Sequence, residues 1–314
     1  MTSSEMLLET AWSHIYWLCV LHATGSYTAA ARRLGVSKAA VSQRVSELEQ
    51  RLGITLVTRT TRSVRLTDAG LALVRTTEPA FTTIQEGCDA VRDLTHTEQG
   101  VIRMTLPVAL GRQEVLPVIS SYLAKYPLVR IELELSDHLS GLSQEGFDLA
   151  IRHTHTIPDN YVAWLLRSTR TILVATPRYI QQHPEIQGPQ DLTQHNCLYY
   201  ARSGNAPVWS FRLSKTPAER QSVAVKGRFS ANNSEALRTL VLDHAGVALL
   251  PDFSASPWMQ SGDLVQLLPA WEPVDVFGNG IYAIRPFSAY VPKAIRSLVE
   301  HLRYHLSDRA CQLP

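Results

Sequence analysis

The sequence of 314 residues contains only four cysteines, and these are widely separated: Cys19, Cys88, Cys197 and Cys311. No two of them form a CxxC pair, so we expect reduced thiols rather than a disulfide framework or a cysteine-based metal site. No apolar run approaches the ~20 residues needed to span a bilayer, and the N-terminus lacks the pattern of a signal peptide. These absences predict a cytoplasmic protein with no membrane contact.

Motifs of the common enzyme classes are also missing. There is no GxSxG, HExxH, phosphate-binding glycine–lysine loop or GxGxxG, so no catalytic residue is assigned. His153 with His155, and His301 with His305, each offer two metal ligands, whereas a metal site needs three or four. We therefore expect no metal, no other cofactor and no enzymatic activity.

What the chain does contain is a concentration of positive charge near its N-terminus. Residues 27–65 hold eight basic and two acidic side chains, a net charge of +6, whereas the whole chain is only +2. The remainder is therefore net negative. A basic segment in an otherwise acidic chain is typical of a protein that binds nucleic acid through one region.

Two short helices are predicted within this basic segment. Ser26 is expected to cap the first helix, and Gly35 with Val36 forms a tight connection to the second, which Ser37 caps. The second helix has apolar residues at helical spacing (Val41, Val45, Leu48 and Leu52) and ends at Gly53. Its other surface is polar and basic and carries the predicted DNA contacts Ser37, Lys38, Ser42, Gln43 and Arg44. A helix-turn-helix places such a face in the major groove; the alternative is an ordinary solvated helix face.

The next residues, 54–67, predict a hairpin with Leu56, Val64 and Leu66 facing inward. Arginines recur at every third position, at Arg59, Arg62 and Arg65. A hairpin with arginines beside a recognition helix is typical of a wing that contacts DNA, and Arg59 and Arg62 are the predicted contacts. The alternative is an exposed hairpin that arginine keeps soluble.

The run TGSYTAAARRLGVSKAAVSQRVSELEQRLGITLVTRTTRSVRLTDAG, residues 24–70, resembles the DNA-binding region of LysR-type transcriptional regulators. The matching elements lie in one ungapped stretch and include Ser37, Leu48-Glu49, Leu52-Gly53 and Ala69-Gly70. Val57 departs from the family, which usually has phenylalanine there. The resemblance extends, more loosely, over nearly the whole chain. It implies a sequence-specific regulator that binds double-stranded DNA and responds to a small-molecule effector.

Residues 67–94 predict a long helix. Val74, Thr77, Phe81, Ile84, Cys88 and Val91 are spaced as in a coiled-coil seam, and Pro79 is expected to kink the helix without ending it. Two such helices could pair in a homodimer; the alternative is packing onto the chain's own C-terminal domain. The resemblance implies a dimerisation linker, with dimers joined into a homotetramer.

After residue 97, strand patterns alternate with helix patterns, which predicts parallel sheets covered by helices. The resemblance implies two α/β subdomains like those of periplasmic binding proteins, with crossovers near 170–175 and 274–281. The predicted fold class is therefore α/β with an N-terminal winged helix-turn-helix (1–66) and linker helix (67–97). The effector-binding domain is 98–314, with subdomain I at about 98–171 and 278–314 and subdomain II at about 172–277.

An effector is expected between the subdomains, where strands end and helices begin. Thr105 and Asn233 are predicted to hydrogen-bond it, and free N–H groups at helix starts favour an anion or carboxylate. Pro107, Val108 and Leu110 are predicted to form an apolar wall. Asn233 has the alternative of a plain helix cap, and Arg152 that of a surface ion pair rather than a charge in the cleft.

One rival function belongs to a different class. Because most of the chain is predicted to be a ligand-binding α/β domain, a stand-alone small-molecule-binding protein of periplasmic type is the alternative to a regulator. The absence of an export signal and the +6 segment favour the regulator.

Overall fold

The computed structural model describes residues 3–59, 64–92, 97–137, 146–154, 156–157, 159–200, 207–214, 216–274, 276–288 and 290–310. The chain divides into two compact units. The first comprises residues 1–97 with 140–147 and 288–293, and the second comprises the rest. In the part of the chain that is described, no helix is both long and apolar enough to cross a membrane.

The first unit is a bundle of helices with a two-stranded hairpin. Its elements are α1 (Ser3–Thr24), α2 (Tyr27–Leu34), α3 (Lys38–Leu52), β1 (Val57–Arg59), β2 (Val64–Leu66) and α4 (Asp68–Arg92). The first of these, α1, was not predicted from the sequence. Its apolar residues lie on several faces, with Leu18 and Leu21 buried but Trp12 and Tyr16 exposed. The sequence therefore shows no single apolar stripe from which an amphipathic helix could be predicted.

Packing of α1 on α2 and α3 forms the core of this unit. Ala30 and Ala31 are buried and small, so the helices approach closely, and the apolar stripe of α3 faces inward as predicted. The Ser37 hydroxyl accepts a hydrogen bond from the Ala40 N–H at 3.1 Å and caps α3. The expectation for Ser26 was wrong: its side chain makes no capping hydrogen bond to α2, and its backbone carbonyl accepts from the Ala30 N–H instead.

The hairpin is tied to α3 by one carboxylate. Glu49 Oε1 accepts hydrogen bonds from the backbone N–H groups of Leu56 at 2.8 Å and Val57 at 3.0 Å. β1 and β2 pair antiparallel, and the next helix, α4, begins against the same backbone. Gly70, in the first turn of α4, lies so close to the hairpin backbone that an added Cβ would stand 2.3 Å from the Leu56 carbonyl oxygen. Only glycine therefore fits at this position without moving the chain.

The predicted seam of α4 divides into two parts. Its first part packs within the first unit, because Val74 is buried and Phe81 lies against the rings of Trp12 and Tyr16 at 4.9 and 5.2 Å. The helix continues through Pro79. In the second part Ile84 and Val91 are 44% and 66% exposed. The first part of the seam therefore packs on α1. Neither of the two sequence-based alternatives, pairing in a homodimer or packing on the C-terminal domain, included this contact.

The second unit is built from sheets and short helices. Its strands are β3 (Gly100–Leu106), β4 (Val129–Leu135), β5 (Leu149–Thr154), β6 (Tyr161–Ser168), β7 (Thr171–Ala175), β8 (Cys197–Tyr200), β9 (Val208–Leu213), β10 (Thr216–Ala224), β11 (Ser230–Ala231), β12 (Val247–Pro251), β13 (Val265–Gln266), β14 (Trp271–Val274) and β15 (Gly280–Pro286). Its helices are α5 (Val108–Leu110), which continues through a π-helical turn (Gly111–Val115) into α6 (Leu116–Lys125), then α7 (Pro177–Gln182), a 3₁₀ helix (Pro189–Gln194), α8 (Ser234–Leu242), α9 (Asp252–Gln260) and α10 (Lys293–Ala310).

Two five-stranded sheets define the two α/β subdomains. The first has the order β4-β3-β5-β15-β6 and the second β11-β8-β12-β7-β13. The chain passes from one to the other between β6 and β7, and returns between β14 and β15. Both sheets are mixed rather than parallel, since β15 runs antiparallel to β5 and β7 runs antiparallel to β12.

A third, antiparallel sheet of β10, β9 and β14 was not predicted. The sequence of β10, TPAERQSVA, is mostly polar and lacks the apolar run by which a buried strand is recognised. The sheet still contributes to a core, because Trp209 and Phe211 are buried there with Val223.

Replacing Gly70 with alanine is expected to destabilise the first unit by about 1–3 kcal/mol, because the new methyl group overpacks against the Leu56 carbonyl. The matched control is Gly87→Ala in the same helix, where no described atom outside the neighbouring residues and the helix's own backbone lies within 4 Å of an added Cβ. That change should stabilise by about 0.5–1 kcal/mol. Hydrogen exchange of α1–α4 measures both changes; equal effects of the two substitutions would contradict the close approach.

Candidate DNA interface and effector cleft

The outer face of α3 is polar and accessible. Lys38, Ala39 and Gln43 are exposed and Ser42 is half-buried, while the neighbouring Val41 is buried in the core. Ser37 is exposed at the N-cap. The sequence-predicted residues Ser37, Lys38, Ser42 and Gln43 therefore lie together on one accessible end of the helix.

Arg44 lies on the side of α3 that meets α1. Its guanidinium is 6.0 Å from the centre of the Trp17 ring, and its Nη1 is 3.2 Å from Glu47 Oε2. Glu47 also accepts from Gln43 Nε2 at 3.0 Å and lies 2.9 Å from Nε2 of the buried His14. These hydrogen bonds, chiefly the one from His14, lower the pKa of Glu47. The carboxylate is therefore ionised at neutral pH.

The hairpin adds basic residues beside α3. Arg65 is exposed on β2, where it pairs with Thr58 on β1. Arg59 lies in β1, and Arg62 lies outside the described residues. Their contacts with DNA stay predictions.

Donors from both subdomains meet at one carboxylate in the second unit. Asp137, which follows β4, accepts from the Val108 N–H at 3.1 Å through Oδ1 and from Asn233 Nδ2 at 2.7 Å through Oδ2. Asn233 also caps α8, because its Oδ1 accepts from the N–H groups of Glu235 and Ala236. Free N–H groups were expected at the helix starts; of these, the Val108 N–H already donates to Asp137.

A second bridge between the subdomains lies beside the first. Glu235 on α8 accepts from Gln113 Nε2 at 2.9 Å and from Arg112 Nη1 at 3.3 Å, and both donors belong to the π-helical turn after α5. The two bridges place the start of α5 opposite the start of α8. The predicted effector position is therefore a real junction of the two subdomains.

The other predicted effector residues differ in burial. Pro107 and Val108 are half-buried at the start of α5, whereas Thr105 and Leu110 are 2% and 1% exposed. Arg152 is 8% exposed, so the alternative of a surface ion pair was wrong. Contact of these residues with an effector stays a prediction.

A buried group of charges lies where the chain crosses between the subdomains. Arg167 at the end of β6 contacts Asp252 at the start of α9, with Nη1 3.2 Å from Oδ2, and its Nε is 3.5 Å from Glu114 Oε2. Asp252 also accepts from the Thr169 hydroxyl at 2.6 Å and from the Phe253 N–H at 2.7 Å. We call Glu114, Arg167 and Asp252 the hinge triad. It joins both subdomains through charges that are removed from water.

Comparison with known families identifies both units. The family described as "LysR substrate binding domain" matches residues 95–307, and "Bacterial regulatory helix-turn-helix protein, lysR family" matches residues 12–71. The chain belongs to the LysR family of transcriptional regulators. It is a DNA-binding regulator with an effector-binding domain, and the family consists of regulators rather than enzymes.

Curated LysR-type relatives match along most of the chain. The regulator PtxR of Pseudomonas aeruginosa is 34% identical over 309 residues, 98% of this chain and 97% of PtxR. The activator TtdR of Escherichia coli is 32% identical over 280 residues, 89% of this chain and 88% of TtdR. The alternative hypothesis of a stand-alone small-molecule-binding protein was wrong, because a LysR-type DNA-binding region is part of the chain.

Solved LysR-type structures share the fold. The full-length structure of the Vibrio cholerae virulence activator AphB is similar with a TM-score of 0.63 and 24% identity, and the match covers 94% of this chain and 99% of AphB. CrgA of Neisseria meningitidis is similar with a TM-score of 0.53 and 23% identity, over 94% of this chain and 95% of CrgA. Both comparisons support the predicted fold class.

Sequence reasoning missed His14, Glu47, Asp137 and the hinge triad. A signal existed for Asp137, because it lies two residues after the end of a strand of strictly alternating pattern, and parallel strands such as β3 and β4 end at the same edge of a sheet. No signal existed for the triad, since Arg167 and Asp252 are 85 residues apart.

Replacing Asp252 with asparagine is expected to destabilise the effector-binding domain by about 3–5 kcal/mol, because Arg167 then keeps a buried charge without its main partner. The control is Glu132→Gln, which breaks the exposed pair with Arg103 and should cost less than about 1 kcal/mol. Urea unfolding followed by circular dichroism measures both. A cost for Asp252→Asn as small as that of the control would show that the triad does not hold the subdomains.

Proposed function

We propose that the accessible end of α3 enters the major groove, where Lys38, Ser42 and Gln43 contact bases and Ser37 and Arg44 contact the backbone. The exposure of this polar face beside a basic hairpin supports the assignment. Arg59 and Arg62 of the wing are assigned to phosphates, because arginine contacts with the DNA backbone position a protein without reading sequence. Gln43 is the main base reader in this arrangement.

The regulator acts as a homodimer through α4, and dimers pair into a homotetramer. Support comes from the second part of the α4 seam, where the apolar side chains of Ile84 and Val91 are exposed in the single chain. Burial of these side chains against a second copy would remove apolar surface from water. A dimer also presents two α3 helices to a DNA site with two-fold symmetry.

The effector is a small molecule that carries a carboxylate or similar anion. The observation that supports this class is that the Val108 N–H and the Asn233 amide together already hold a carboxylate, that of Asp137. An effector's acidic group would displace Asp137 from these donors, with Thr105, Pro107, Leu110 and Arg152 around it. Such a ligand changes the arrangement of the subdomains only if its affinity for the two states differs.

Binding to DNA from upstream of the chain's own gene tests the α3 assignment. Fluorescence anisotropy at two salt concentrations should show selective binding that weakens with salt, because phosphate contacts release counterions. Gln43→Ala should lower selectivity over a scrambled duplex on the order of tenfold, since one bidentate base contact is lost. Gln50→Ala, at an exposed position further along α3, is the control and should change little. Undiminished selectivity in Gln43→Ala would refute the assignment of Gln43.

A thermal-shift panel of small carboxylates, each matched with its neutral amide, tests the effector class. Carboxylates should raise the unfolding temperature and their amides should not, because only the acid replaces the Asp137 carboxylate. Asp137→Ala should bind the same carboxylates more tightly, since nothing needs to be displaced. Stabilisation by amides or amines alone would contradict an anionic effector.

A further inference from the structure

Glu47 is an acidic residue on a helix that is proposed to lie against DNA, where phosphate repulsion makes a carboxylate unfavourable. The other acid of α3, Glu49, has a structural task, because it holds the backbone of the hairpin. Among the described residues, Glu47 has no such backbone partner, and its hydrogen-bond and ion-pair partners are three side chains, those of His14, Gln43 and Arg44.

These partners form a chain from the core to the accessible face. His14 on α1 is only 3% exposed, and its Nε2 is 2.9 Å from Glu47 Oε2 and 3.1 Å from Arg44 Nη1. Because a guanidinium only donates and a carboxylate only accepts, Nε2 donates to Glu47 in the tautomer that carries the proton on this nitrogen. One carboxylate oxygen is then held from inside. The other oxygen, Oε1, faces outward and accepts from Gln43 Nε2 at 3.0 Å. Glu47 thus links a buried ring to an exposed amide.

The chemistry of the carboxylate decides the orientation of that amide. An ionised carboxylate only accepts hydrogen bonds, so Gln43 must turn its NH₂ group, and not its carbonyl, toward Glu47. The plane of the amide is then fixed, with the carbonyl oxygen and the second N–H left for a partner. A base that offers a donor and an acceptor side by side, as adenine does with N6 and N7, fits this pair of groups.

We propose that Glu47 is a positioning residue for DNA recognition: held by His14, it fixes the Gln43 amide and thereby sets the preference for adenine at one base pair of each half-site. The proposal rests on the assignment of Gln43 to the major groove. In this proposal Glu47 increases sequence specificity, while its negative charge lowers the total affinity for DNA.

The test is selection of binding sites from a random duplex pool by the full-length protein, with wild type, Glu47→Gln, Glu47→Ala, Gln43→Ala and the double variant Gln43→Ala/Glu47→Gln. In Glu47→Gln the side chain keeps its size but can also donate, so the amide of Gln43 is no longer held one way round. The preference at one base pair should fall on the order of tenfold, with the other positions unchanged. Affinity for unselected DNA should rise, because a negative charge has been removed.

The double variant separates this role from a structural one. If Glu47 acts through Gln43, the double variant has the same base preferences as Gln43→Ala alone. A general loss of preference at all positions, or an unchanged preference in both Glu47 variants, would overturn the proposal. Glu47→Ala removes the acceptor of the Gln43 amide entirely, so it should also lose the preference at that base pair. It therefore replaces Glu47→Gln if that variant folds poorly.

The outcomes also distinguish base contact by Gln43 from positioning by Glu47. If Gln43→Ala loses the preference but neither Glu47 variant does, Gln43 reads the base without Glu47, and only the positioning role fails. If Gln43→Ala leaves every preference intact, the assignment of Gln43 itself fails. Unfolding temperatures of all variants, measured in parallel, show whether any loss comes from an unfolded domain.

Discussion

The buried guanidinium of Arg167 constrains the whole effector-binding domain. It contacts Glu114 from one subdomain and Asp252 from the other, at the place where the chain crosses between them. Separating these charges would leave an ion in a low-dielectric interior without its partner, which costs several kcal/mol. This contact therefore opposes separation of the two subdomains at the crossing point. The bridges through Asp137 and Glu235 are further contacts between the subdomains.

Carboxylates within the basic N-terminal segment have a related role. Two acids interrupt the positive charge of α3, and both are satisfied inside the domain: Glu49 by backbone N–H groups and Glu47 by His14 and its neighbours. Carboxylates that are already paired repel the phosphates of DNA less than unpaired carboxylates would. The segment can then present a positive surface while its negative groups hold helices and hairpin together.

Local features of the fold could be predicted from the sequence, and features that depend on distant residues could not. The apolar stripe of α3, its cap at Ser37 and the wing followed from spacing alone. Helix α1 did not, because its apolar residues lie on several faces, and without α1 its contact with the first part of the α4 seam could not be predicted either. At the effector junction, Asn233 was correctly placed at the start of a helix, but its partner Asp137 is 96 residues away and only the tertiary fold brings them together.

The two hydrogen bonds from Glu49 to the backbone of Leu56 and Val57 have a mechanical consequence. They begin the hairpin at a set position on α3, so the start of the wing is held at a defined distance from that helix. In the DNA complex that we propose, a duplex has to adapt its groove widths to this spacing. Steps that bend or twist at low energy are then favoured, even at base pairs that no side chain touches.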